Sequence, residues 1–181
     1  MFNVFTIFAP LFTPYIYIMK TTAIIFALLL ATATVYAQGS RAKSQAPVVN
    51  KAPALSAKNV TDLGLGSQKF TQKSDNVWTT AKGVTIYSSH PYGDNIKGYS
   101  GPTPLFIAVD KGGKIVGVAP AANAETPQFW KRLTDAKFFK AWKGLTPAQA
   151  ATKKVDAITG ATFSSKAVIQ TVQATAKNIK K

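Results

Sequence analysis

The stretch from Leu105 to Val118 constrains the fold most. Leu105-Phe106-Ile107-Ala108-Val109 is an apolar run, Asp110-Lys111-Gly112-Gly113-Lys114 is a turn, and Ile115-Val116-Gly117-Val118 is a second apolar run. Two such runs joined through glycines predict an antiparallel hairpin. Shorter β-rich runs precede it, Val77-Trp78-Thr79-Thr80 and Val84-Thr85-Ile86-Tyr87, with Lys82-Gly83 as the turn between them. Beyond the hairpin the pattern becomes helical. Pro127 to Leu133 and Ala136 to Trp142 are predicted helices, and Thr146 caps a short one with Pro147 at its first position. A final helix is expected from about Ser165 to Ile179, because Val168, Val172, Thr175 or Ala176, and Ile179 share one face. Strands grouped ahead of helices predict an α+β domain, a curved antiparallel sheet built from hairpins and packed with helices. Strands and helices do not alternate, which argues against a doubly wound parallel sheet.

The segment before this domain reads as an address. Residues 19–37, MKTTAIIFALLLATATVYA, have a short positive start at Lys20, an apolar stretch from Ala23 to Ala33, and Val35-Tyr36-Ala37 at the place of a cleavage site. That is the pattern of a secretory signal, with Met19 as the natural start and cleavage after Ala37. The competing expectation is an uncleaved anchor, since 1–37 is long enough to span a bilayer. On either reading the rest of the chain is exported, to the periplasm or the outer face of the cytoplasmic membrane. Residues 38–64 are expected to be a flexible linker, and 65–181 the globular domain.

Composition narrows the chemistry. With no cysteine, the chain has no disulfide, thiolate metal site, iron–sulfur ligation or cysteine nucleophile of its own. A single histidine, His90, cannot alone build a zinc site or serve a triad among only seven acidic residues. No metal site and no catalytic residue is therefore assigned, and a bound cofactor is the expected source of any reactivity. The formal net charge of +15 suits anionic partners or a phosphorylated cofactor, but equally a basic solvated surface. No nucleic-acid motif is present.

The segment richest in chemistry is Asp156-Ala157-Ile158-Thr159-Gly160-Ala161-Thr162-Phe163-Ser164-Ser165-Lys166. A small glycine turn opens directly into a helix, whose first N–H groups lack intrahelical partners and carry partial positive charge. Thr162, Ser164 and Ser165 add hydroxyls there, and Gly160 and Ala161 allow close approach to the backbone. The arrangement reads as a phosphate cradle, with Lys166 as a nearby cation, or as an ordinary helix start capped by Ser164 or Thr162.

This segment resembles the flavinylation motif of FMN-binding domains, such as the flavin-carrying subunits of the sodium-translocating NADH:quinone reductase and of the Rnf electron-transport complex. The resemblance rests on Asp156, Thr159, Gly160, Ala161, Thr162, Ser164 and Ser165. It implies that Thr162 is esterified to the FMN phosphate by a dedicated flavin transferase, and that Asp156 belongs to what the transferase recognises. Upstream, Gly98-Tyr99-Ser100-Gly101-Pro102 resembles the family's glycine-rich stretch, and Glu125-Thr126-Pro127 its Glu-Thr-Pro segment, which lies against the flavin. The similarity covers about residues 84–178. Relatives often continue Glu-Thr-Pro with glycine, an apolar residue and glycine, whereas this chain has Gln128, Phe129 and Trp130, which deny a ligand that backbone approach.

The resemblance implies a cofactor set of covalent FMN on Thr162, with Thr159, Gly160, Ala161, Ser164, Ser165, Glu125, Thr126 and Tyr99 around it. Glu125 would accept a hydrogen bond from the flavin or its ribityl chain, or else cap the following helix. Phe129, Trp130, Phe138, Phe139 and Trp142 are candidates for ring stacking or simply for the core. The implied function is electron transfer, with a membrane-bound redox protein carrying iron–sulfur or haem as partner. The alternatives are a flavin-dependent reductase of a small molecule, and a cofactor-free basic module that binds anionic polymer or lipid.

Overall fold

The computed structural model describes residues 52–180. The expected signal or anchor, and the linker before residue 52, lie outside the described residues. Among those described, no helix is long and apolar enough to cross a membrane.

Five strands form one antiparallel sheet in chain order: β1 (Phe70–Ser74), β2 (Val77–Thr80), β3 (Thr85–Ser88), β4 (Leu105–Val109) and β5 (Ile115–Pro120). The central hairpin appears as expected, with Ile107 opposite Val118 and Phe106 opposite Ala119. Asp110 closes its turn, the side chain accepting from Lys114 N at 2.9 Å. β1 is an addition that the polar run Thr71-Gln72-Lys73-Ser74 did not advertise. The link from β3 to β4 is not a tight hairpin but a long loop, in which Gly98 N donates to Gly101 O at 2.7 Å.

Every residue of β4 is buried, and this decides the architecture. Side chains alternate across a strand, so a strand with no exposed position must be covered on both faces. On one face Leu105, Ile107 and Val109 pack with Leu133, Trp142, Val168 and Val172. These come from α2 (Pro127–Asp135), a 3-10 helix (Phe138–Trp142) and α4 (Thr162–Asn178), with α3 (Pro147–Ala150) beside them. On the other face Phe106 and Ala108 pack with Trp78, Ile86, Leu55, Val60 and Leu63. The α+β class and the C-terminal helix stand as expected.

Three expectations are corrected. The linker does not run to residue 64, nor does the domain begin at 65: Ala57–Asp62 is a helix, α1, with Ser56 and Asn59 forming a capping box. Its Val60, with Leu55 and Leu63, closes the second face of the sheet. The predicted helix from Ala136 to Trp142 shrinks to the 3-10 turn, because Lys137 takes a left-handed φ of 53° and breaks continuity with α2. The last helix starts at Thr162 rather than near Ser165.

Candidate functional site

Construction of the site begins with the turn before α4. Ala161 N donates to Ile158 O at 2.9 Å, and Gly160 takes φ +76°, a conformation costly for any residue with a Cβ. Ser165 then ties the turn to the helix. Its hydroxyl donates to Ala161 O at 2.7 Å and accepts from Ile158 N at 3.0 Å. Thr162 is left exposed at the first position of a helix of 17 residues.

The head of α4 differs from those of α1 and α3, which both carry complete capping boxes. Its N-cap is Ala161, and no side chain bonds to the first-turn N–H groups. Neither Ser164 nor Thr162 is the N-cap, contrary to the plain helix-start reading. Ser164 instead lies inside the helix with its hydroxyl buried.

Ser164 donates its hydroxyl to Oε2 of Glu125, while Oε1 of the same carboxylate accepts from Ser100 N at 2.8 Å. Glu125 is only 7% exposed. Gly98 lies against it so closely that a Cβ there would stand 2.6 Å from Oε1. Thr126, next in the chain, is the N-cap of α2 and has its hydroxyl 3.4 Å from that of Ser100. One buried carboxylate thus joins the three stretches singled out in the sequence: Gly98 to Pro102, Glu125 to Pro127, and the head of α4. Glu125 neither caps the next helix nor points into open space. Likewise Ser164 and Ser165, expected among the ligand contacts, spend their hydroxyls on the protein's own groups.

Above this clasp is an open cavity of about 290 Å³ lined by Tyr99, Phe129, Gly160, Ala161, Thr162, Phe163 and Ser164. Tyr99 and Phe129 meet edge to face, with ring centroids 5.0 Å apart. Tyr99 is 61% exposed and Phe163 69%, the two most exposed large apolar side chains among the described residues. Both border the same small cavity. Apolar surface of this kind, clustered rather than scattered, marks a place where something binds. Of the other aromatic candidates, Phe138 and Trp142 are buried core, and Trp130 and Phe139 pack on it and on each other at 5.7 Å. Thr159 and Asp156 are exposed on the loop before Thr162, and Asp156 makes no ion pair among the described residues.

The sequence reading missed Phe163 and Arg132. Phe163 occupies a position where the motif admits any residue. Arg132 reaches the loop from α2: a Cβ added to Gly160 would lie 2.9 Å from its Nη1. Larger depressions exist, of about 870 Å³ around Phe70, Trp78 and His90, about 710 Å³ around Tyr87, Lys111 and Ile179, and about 420 Å³ around Thr61, Gln68 and Lys69, but none of the three holds any of the motif residues. Size alone would have pointed to the wrong place.

Residues 98–177 match the family model of the FMN-binding domain. No curated protein matches the chain. The matched stretch begins at Gly98, the residue pressed against Glu125, and takes in the whole clasp. The residues around the cavity fit an FMN: aromatic rings for an isoalloxazine, an exposed hydroxyl, and a helix head whose N–H groups have no side-chain acceptor.

Proposed function

We propose that residues 98–177, which match the family model of the FMN-binding domain, are the flavin-carrying part of an exported electron carrier that holds FMN covalently through a phosphoester on Thr162. The observation that carries this reading is one cavity in which an exposed threonine hydroxyl stands beside three aromatic side chains. Bound FMN supplies the redox chemistry, and the chain supplies anchorage and environment. Thr162 is an attachment point, not a catalyst. Gly160 and Ala161 leave room beside it, and at the uncapped first turn of α4 the phosphate would take the acceptor role that Ser56 and Thr146 fill for α1 and α3. Tyr99, Phe129 and Phe163 offer apolar faces to the flavin ring.

Attachment has a purpose outside the cytoplasm, where a cofactor lost by dissociation is not replaced. The tether lets the ring pocket stay shallow. At about 290 Å³ the cavity falls at or below the low end of the roughly 300–1,000 Å³ that enclose a drug-sized ligand. A flavin seated there would keep an edge open to a protein partner, which would suit passage of electrons between a membrane-bound redox protein and a second acceptor. An enclosed substrate pocket beside the ring, as a small-molecule reductase would use, is not part of this cavity. Asp156, exposed on the same loop, is available to the flavin transferase.

The test uses Thr162→Ala expressed with the transferase present. The variant should fold and, after denaturation and washing, be colourless while the wild-type chain stays yellow. A variant that remains yellow under those conditions refutes attachment at Thr162.

A further inference from the structure

The charge of a phosphate on Thr162 needs a partner, and the sequence points to Lys166, an exposed residue of α4 itself. A different cation lies against the loop. Arg132 belongs to the last turn of α2. A Cβ built on Gly160 would stand 2.9 Å from its Nη1, 3.1 Å from its Cζ and 3.4 Å from its Nε. The guanidinium therefore rests on the Gly160 backbone, in the space a side chain would take. Residues three apart share a helix face, so Arg132 lies on the side of α2 that carries Phe129, which lines the Thr162 cavity.

Neighbouring acids do not neutralise this arginine. Asp135 pairs with Lys131 at 2.7 Å, and Glu125 is engaged by Ser100 and Ser164. Among the described residues Arg132 has no ion pair. A guanidinium is always charged and presents forked donors that match phosphate oxygens. A free arginine held two residues from the attachment hydroxyl is placed for such a ligand.

We propose that Arg132 is the counter-ion of the flavin phosphate. It would hold a non-bridging oxygen of that phosphate, whether the FMN is bound without a covalent bond or is already joined to Thr162 as a phosphodiester. The φ of +76° favours glycine at position 160, and without a Cβ there the guanidinium can lie on the backbone. This inference rests on the flavin reading of the cavity but not on the ester.

Protein prepared without its transferase is titrated with FMN and with riboflavin, which lacks the phosphate, and flavin fluorescence is followed. The unmodified chain should prefer FMN. Arg132→Gln should weaken FMN about tenfold and leave riboflavin unchanged, as loss of a charge-assisted bond predicts. Arg132→Lys should recover part of the difference, and all variants should keep the wild-type circular dichroism. Thr162→Ala should retain the FMN preference, so a failed ester claim leaves this test intact. Equal affinity of the unmodified chain for the two flavins, or equal weakening of both by Arg132→Gln, overturns the proposal. If neither flavin binds measurably before esterification, the phosphorus NMR signal of the flavinylated protein decides. Arg132→Gln should move that resonance, and an unmoved one rejects the role.

Discussion

Glu125 reaches 25 residues back to Ser100 and 39 forward to Ser164, and so carries more of the site's geometry than any other side chain. Glu125→Ala leaves a backbone N–H and a buried hydroxyl without their acceptor, at a cost of about 1–3 kcal/mol for each group. Urea unfolding should show this loss, with Glu125→Gln between the variant and the wild type because one amide oxygen still accepts. A midpoint unchanged in Glu125→Ala would mean the clasp is not what joins these loops. Gly160→Ala forces a Cβ into the left-handed region, which costs about 1–2 kcal/mol. Its melting temperature should fall, and by the same amount in an Arg132→Ala background, because the exposed guanidinium can swing aside. At this scale the motif made Thr162, Gly160 and Tyr99 legible, because residue types at set spacing carried the information. The partners of Ser164 and Ser165 were not legible. Hydroxyls near a helix start suit capping, binding or internal bonding alike, and only the position of Glu125 and of the Ile158 turn decides among them. Arg132 was hidden for a similar reason, since its contact with Gly160 exists only once α2 lies beside the attachment loop.

β4 and α1 explain each other. A strand of five buried residues demands two covered faces, and the helices after the hairpin cover only one. The other face takes Leu55, Val60 and Leu63 from a segment whose alanines, prolines and lysines read as a linker. The clue was the unbroken apolar run of Leu105 to Val109, where a strand with one wet face would alternate. α1 docks so closely that a Cβ on Gly117 of β5 would stand 2.1 Å from Leu63 O. Gly117→Ala should therefore cost at least about 2 kcal/mol through overpacking, and should open residues 55–63 to limited proteolysis. Wild-type resistance in that variant would show that α1 is not held by this contact. α4 begins three residues before the start that its sequence predicts, because apolar periodicity begins only at Val168, while Thr162 to Ser165 turn helical through the bonds of Ser165 to Ala161 and Ile158.

The whole molecule carries a formal net charge of +15, with 22 basic against seven acidic residues. Asp62 and Asp135 pair with lysines four positions away in their own helices, and Glu125 is buried. If the proposed redox partner presents an acidic face, it should associate fast at low salt. We expect the association rate to fall by about tenfold or more as ionic strength rises from roughly 0.01 M to 0.5 M, where the Debye length drops from about 30 Å to a few ångströms. Stopped-flow rates that ignore salt would contradict electrostatic docking. The central claim concerns a single bond, and intact mass reads it directly. The chain isolated from its own organism should weigh roughly 440 Da more than its polypeptide, FMN less one water, with the increment mapped to the peptide containing Thr162. A mass equal to the bare polypeptide, or the increment on a different peptide, contradicts the account.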